Sequence, residues 1–113
     1  MAEDTPVLDT LADLTAVSIE RSSLEARDHV MARLAALVAV DAPAASYLLH
    51  IGAAEEVGIT LEDVEGVLVA VAPIVGTPRI VNASTNIAKA LGFAIALIEA
   101  ELEAELEDEE DDE

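Results

Sequence analysis

The two histidines of this sequence can carry out acid–base chemistry near neutral pH, and the residues around His50 are the more consistent with a catalytic role. It lies within an apolar stretch, with Ser46 four residues and Tyr47 three residues before it. On a helix these spacings bring the three side chains to the same or adjacent positions on one face. A neutral imidazole lined by hydroxyl groups can act as a general base or acid. His50, Ser46 and Tyr47 are therefore the candidate catalytic residues.

The same residues also have a purely structural interpretation. His50 can pack in an interface and bond to a neighbouring carbonyl, with no ligand involved. His29, which has Arg27, Asp28 and Arg33 nearby in the sequence, is predicted to be a surface residue. The sequence leaves both interpretations of His50 open.

Most other site chemistry is excluded by composition. The chain has no cysteine, which excludes disulfides, thiol redox chemistry and thiolate metal sites. Its five glycines form no phosphate-binding loop, and no G-x-S-x-G nucleophile motif occurs. The two histidines lie on different predicted helices without the spacing of metal ligands. We therefore expect neither a metal nor a cofactor.

The charge is strongly negative and unevenly distributed. The formal net charge is −19, and eleven of the fifteen residues from Glu99 to Glu113 are acidic. The other residues carry 13 acidic and 5 basic side chains, a net charge of −8. Such a surface repels nucleic acid and anionic membranes, so neither is expected as a partner. The acidic end is interpreted as a solubilising tail, with a basic protein partner or adaptation to high salt as alternatives.

No targeting or membrane-spanning segment is predicted. Residues 1–6 lack the basic and apolar regions of a signal peptide. Uncharged stretches such as Gly66–Pro78 are shorter than the roughly 20 residues that a spanning helix needs. We therefore expect a cytoplasmic location.

Helix signals recur along the chain and predict an all-α fold of about five helices. Val67–Val71 could also form a strand, but the cap before it and the glycine after it favour a helix. The first helix is predicted from Pro6 to about Glu20, and a capping box of Ser22 with Glu25 is predicted to start the second. Asp41 is predicted to cap the third helix, and Gly58 to end it. Thr60 with Asp63 is predicted to start the fourth helix and Gly76 to end it, and the fifth is predicted from Pro78 to about Leu106.

This pattern predicts one helical domain over residues 1–106 and a disordered acidic tail over residues 107–113. Hydrophobic residues make up 53% of the chain but aromatic residues only 2%, so the core must be built from small aliphatic side chains. That much apolar surface is difficult to bury in one short chain, and we expect a homo-oligomer.

The region from Ser23 to Leu91 resembles the carboxymuconolactone decarboxylase family, which includes the AhpD-like alkyl hydroperoxidases. The segments YLLHIGAAEEVGITLEDVEGVL and APIVGTPRIVNA are similar to the family pattern of a helix with a histidine, a glycine–threonine turn, an acidic helix start and a later G-x-P. The matching residues are His50, Gly58, Thr60, Asp63, Gly76 and Pro78. The resemblance implies an AhpD-like helical fold assembled as a trimer or hexamer.

The resemblance also implies what this chain lacks. AhpD-like members use a C-x-x-C pair before the histidine, and those two positions fall on Pro43 and Ser46. The family's upstream glutamate falls near Met31, so thiol peroxidase activity is chemically implausible. Gly66 and Ile74 stand where the family often has Glu and Tyr.

Two functions therefore remain. The first is a cofactor-free lyase or isomerase that acts by proton transfer on a small carboxylate or lactone. His50 would be the base, Ser46 and Tyr47 would orient it, and Arg33 or Arg79 would hold the anionic substrate. The second is a non-catalytic oligomeric binding or scaffold protein. A solvent-reachable cavity at His50 with an arginine facing it would favour the enzyme, whereas a filled site would favour the scaffold.

Overall fold

A computed structural model describes residues 4–111 and places five helices in them. The helices are α1 (Pro6–Arg21), α2 (Ala26–Ala39), α3 (Ala44–Glu56), α4 (Leu61–Val75) and α5 (Thr77–Asp111). The prediction of an all-helical chain is confirmed, and residues 67–71 lie within α4. No strand occurs among residues 4–111.

The ends of α3 and α4 follow the predicted signals. Thr60 Oγ1 accepts a hydrogen bond from the Asp63 N–H at 3.1 Å, and the Asp63 carboxylate accepts one from the Thr60 N–H at 2.9 Å. This reciprocal capping box satisfies two of the backbone donors at the start of α4. Gly58 and Gly76 have φ values of 75° and 86°, which glycine adopts without steric cost, and they end α3 and α4.

Two of the predicted caps do not form. Ser22 Oγ accepts from the Leu24 N–H at 3.2 Å, and α2 begins after Glu25 without a side-chain cap. Asp41 follows the end of α2 with φ 57°, a left-handed conformation that aspartate tolerates, and Pro43 is the residue before α3. The helices α2 and α3 begin a few residues later than the spacing predicts. Ser22 and Asp41 therefore lie in the turns between helices and do not cap them.

The core lies among α2, α3, α4 and α5 and is made mostly of small side chains. Val38 is completely buried, and Tyr47 is the one large side chain among the most buried residues of the described chain. The other members of this cluster are Ala42, Ala83 and Ala90. Small residues allow α5 to approach α3 closely, but each alanine buries little area. Tyr47 therefore contributes a large share of the buried surface.

The helix α1 lies almost outside this core. Every residue of α1 is exposed, including Val7, Leu8, Leu11 and Leu14. One hydrogen bond between α1 and the body runs from Arg33 Nη2 to the Thr15 carbonyl at 3.3 Å. An apolar helix of this kind leaves a hydrophobic face without a partner in its own chain.

The helix α5 corrects one expectation from the sequence. From Thr77 to Asp108 it is long and apolar enough, by length and composition alone, to cross a membrane, although such a helix is weak support for a membrane protein. Uncharged stretches alone did not indicate this helix, because Lys89 divides residues 80–98, which carry no other charged side chain. Its first half packs on α3, whereas every side chain over residues 95–108 is exposed.

The backbone of α5 is helical to Asp111, past the end predicted near Leu106. That the acidic end frays in solution stays a prediction, and residues 112 and 113 lie outside the described part. Truncation after Leu106 is expected to leave Tm unchanged, or slightly higher at low salt, because the removed carboxylates repel one another. Thermal unfolding followed by circular dichroism measures this, and a large loss of stability would show that the acidic end docks on the protein.

Candidate functional site

A cavity of about 270 Å³ opens to solvent beside His50 and is formed by α2, α3, α4, α5 and the turn before α4. Its walls are mostly aliphatic, with Leu34, Ile51, Val64 and Leu91 among the lining side chains. The polar or titratable residues of the lining are Tyr47, His50, Glu55 and Thr60. The cavity is therefore a largely apolar pocket with a small number of polar groups, which is the usual composition of a small-molecule site.

The half-buried ring of His50 is held by the backbone of its own helix. Its Nδ1 lies 2.7 Å from the carbonyl oxygen of Ser46, one turn earlier in α3. A carbonyl oxygen can only accept, so Nδ1 must carry the proton in this hydrogen bond. In the neutral ring, Nε2 then bears the free lone pair. His50 is thus fixed in the tautomer that presents Nε2 as a base.

Ser46 orients His50 in a different way from that predicted. The contact is made by its backbone carbonyl, and its side chain does not line the cavity. Any residue at this position could supply the same carbonyl. A catalytic role for the Ser46 hydroxyl has no support in this arrangement.

Tyr47 lines the cavity wall, but its hydroxyl is buried. The residue is 4% exposed, and its oxygen has neither solvent contact nor a hydrogen-bond partner among the described residues. Because the cavity opens to solvent, a hydroxyl facing it would be accessible. Burial raises the pKa of the phenol above its ordinary value, and the Asp41 carboxylate adds to the rise. The hydroxyl is therefore poorly placed to orient His50 or a ligand.

The two arginines suggested for substrate binding lie elsewhere. Arg33 donates to the Thr15 carbonyl, and Arg79 donates to the Ala39 carbonyl at the end of α2. Neither lines the cavity. A third arginine, Arg27, forms an ion pair with Asp63 at 2.6 Å. The hydrogen bond from the Thr60 backbone, followed by that from Arg27, lowers the pKa of Asp63.

One structural cluster was missed in the sequence. Asn82 Nδ2 donates to the Asp41 carboxylate at 3.4 Å, and Asn86 Nδ2 donates to the Ala42 carbonyl at 3.3 Å. With Arg79, these side chains lie at i, i+3 and i+7 on one face of α5, a spacing visible in the sequence. They hold the turn between α2 and α3, which gives Arg79 a structural role there.

His29 also differs from its prediction as a surface residue. It is half-buried, and its Nε2 is enclosed without a hydrogen-bond partner in the described part of the chain. It does not line the cavity. Among the described residues, no group of three or more His, Asp or Glu side chains is arranged to hold a metal ion.

Comparisons with known proteins assign a family to this arrangement. No curated protein matches the chain, and no solved structure matches it. A model of the carboxymuconolactone decarboxylase family matches residues 6–90. The match includes α1 through most of the first half of α5, and it contains the whole lining of the His50 cavity except Leu91. The chain therefore belongs to the carboxymuconolactone decarboxylase family.

Proposed function

We propose that this protein is a cofactor-free lyase or isomerase in which His50 transfers protons to and from a small substrate. The observation that carries the proposal is the hydrogen bond from His50 Nδ1 to the Ser46 carbonyl. It leaves the Nε2 lone pair as a base beside an open apolar cavity. Family membership is consistent with this chemistry, and the absence of cysteine from the sequence argues against a thiol peroxidase.

The imidazole of His50 carries the proton in each step of the proposed reaction. Nε2 removes a proton from a carbon next to a carbonyl, and the electron pair of the C–H bond moves toward the carbonyl oxygen. An isomerase returns the proton to a different carbon, whereas a lyase uses the electron pair to expel a leaving group. The Ser46 carbonyl assists both the isomerase and the lyase reaction, because its hydrogen bond to Nδ1–H strengthens when the imidazole ring becomes positively charged.

The proposal can be tested without the natural substrate by using nitrobenzisoxazole. A base removes the ring C–H proton of this uncharged compound, the N–O bond breaks, and a coloured cyanophenolate forms. The protein should promote this ring opening more strongly than free imidazole at equal concentration. Replacing His50→Ala should lower the rate by a factor of about a hundred or more, the usual contribution of a positioned base. Absorbance of the phenolate measures the rate.

His29→Ala is the matched control, because it removes an imidazole that does not line the cavity. Circular dichroism and size-exclusion chromatography of both variants verify that fold and assembly persist. Ring opening that survives His50→Ala in a folded protein would remove His50 from the mechanism.

An oligomeric binding or scaffold protein is the second candidate. No arginine lines the His50 cavity, which favours this candidate over the enzyme, and the exposed surface supports the assembly that it requires. A compact monomer of this mass exposes about 5,900 Å², whereas this chain exposes 8245 Å². The excess of roughly 2,300 Å² exceeds two standard interface patches of about 800 Å² each. The radius of gyration is 17.1 Å, compared with about 13 Å for a compact domain of this length.

We infer that copies of the chain cover this surface in a trimer or hexamer, and both candidate functions are compatible with that assembly. The exposed apolar side chains of α1 and of residues 95–108 would supply the contacts. A cytoplasmic location and a basic protein partner for the acidic end remain part of the proposal. The charge of the acidic end supports the basic partner.

A further inference from the structure

We propose that the His50 cavity binds uncharged, mainly apolar small molecules and discriminates against carboxylates. The inference rests on the proposed function for the role of His50, but it concerns binding and can be measured separately. It also narrows the substrate class, since the sequence had suggested a small carboxylate or lactone. An uncharged lactone or ketone fits the cavity chemistry, whereas an anionic acid does not.

The first argument is the lining itself. Ten of its fourteen residues are aliphatic, and the titratable side chains among the others are Tyr47, His50 and Glu55. At about 270 Å³ the cavity lies just below the range of roughly 300–1,000 Å³ found for ligand pockets. A small ligand with one polar end matches this size and composition. Its apolar part would contact the aliphatic walls, and its polar end would meet Nε2 of His50.

The second argument is the position of every basic side chain. The sequence has five Lys and Arg residues, and none of them lines the cavity. Arg33 and Arg79 donate to backbone carbonyls, and Arg27 pairs with Asp63. The remaining two are Arg21, in the last turn of α1, and Lys89, on α5. A carboxylate that entered the cavity would lose hydration and meet no Lys or Arg side chain there, which is costly.

The third argument is the negative charge at and around the cavity. Glu55 contributes to the lining and would repel a carboxylate directly. The net charge of −8 outside the acidic end lowers the local concentration of any anion further. Glu55 could attract a cation, but the aliphatic walls would have to desolvate it. The expected order of affinity is therefore uncharged first, cationic second and anionic last.

Benzamide, benzamidine and benzoate test this order, because they have nearly the same size and differ in charge. Each would be titrated into the full-length protein at near-neutral pH while backbone amide NMR shifts are followed. Benzamide should shift the amides of cavity residues such as Ile51 and Leu91. Benzoate should bind at least about tenfold more weakly, because its charge is buried without a partner.

A charge-neutralising variant sharpens the test. Glu55→Gln should strengthen benzoate binding by a few-fold relative to benzamide binding, since it removes one repulsive charge. Glu56→Gln is the matched control, because the neighbouring Glu56 is exposed and does not line the cavity. It should leave both affinities as they are.

Three results would overturn the inference. They are benzoate binding in the cavity as tightly as benzamide, benzamidine binding more tightly than benzamide, and no cavity shifts with any of the three compounds. None of these results depends on the rate of nitrobenzisoxazole ring opening. Conversely, ring opening that survives His50→Ala would end the proposed function while leaving the binding order intact.

Discussion

In solution the chain is expected to form an assembly of at least three copies, with a mass at least three times 11.8 kDa. The physical reason is the unpartnered apolar surface of α1 and of the second half of α5. Light scattering coupled to size-exclusion chromatography measures the mass. Replacing Leu11→Glu should shift the population to smaller species, because Leu11 lies on the apolar stripe of α1 and a buried, unpaired carboxylate costs several kcal/mol.

Ala16→Glu is the matched control for that substitution. Ala16 lies on the same helix, and its replacement by Glu adds the same charge. Helical spacing places Ala16 about 140° from Leu11 around the axis of α1. It should keep the mass of the wild-type assembly. A wild-type chain that elutes as a clean monomer at micromolar concentration would contradict the inferred assembly, and an Ala16→Glu chain that dissociates as readily as Leu11→Glu would exclude this face as the contact.

The fold was predictable where local chemistry alone determines the structure. The Thr60–Asp63 capping box and the glycine at position 58 depend on a few adjacent residues, and both occur as predicted. Asp41 was predicted to cap α3, but its carboxylate accepts from Asn82, more than forty residues later in the chain. A competing long-range partner of this kind cannot be identified from local spacing. Tertiary contacts therefore decided the turn between α2 and α3.

The candidate site was predictable in position but not in its contacts. The helical spacing puts His50 and Tyr47 near each other on α3, and both side chains line the cavity. The same spacing could not show that the Ser46 contact is made by the carbonyl, or that the Tyr47 hydroxyl is buried without a hydrogen-bond partner among the described residues. Nor could it show that Arg33 and Arg79 bind backbone carbonyls. Hydropathy patterns predict which residues are buried, whereas the partner of each polar atom depends on packing between helices.

Two substitutions of Tyr47 distinguish the contribution of its ring to core packing from the contribution of its hydroxyl. Tyr47→Phe is expected to keep or raise stability, because a buried hydroxyl without a partner costs about 1–3 kcal/mol. Tyr47→Ala should lose about 3–5 kcal/mol, as removal of a large buried ring leaves a cavity among small side chains. Urea denaturation of the three proteins at one concentration measures both effects, since assembly makes stability depend on concentration.

The difference between wild type and Tyr47→Phe should grow above about pH 10, where an unfolded tyrosine ionises. Burial raises the pKa of Tyr47 in the folded protein, so the folded state holds its proton at a pH where the unfolded state has lost it. The stability of the wild type therefore falls as pH rises through this range, whereas the phenylalanine variant lacks this contribution. Tyr47 is the only tyrosine and the chain has no tryptophan, so tyrosinate absorbance reports this one group.

A Tyr47→Phe protein that loses stability at neutral pH would show that the hydroxyl has a hydrogen-bond partner in solution. A variant that keeps its stability but loses nitrobenzisoxazole ring opening would instead show that the hydroxyl takes part in catalysis, as the sequence predicted. If both stability and ring opening are unchanged, Tyr47 acts as the aromatic wall of the cavity, and the acid–base chemistry depends on His50.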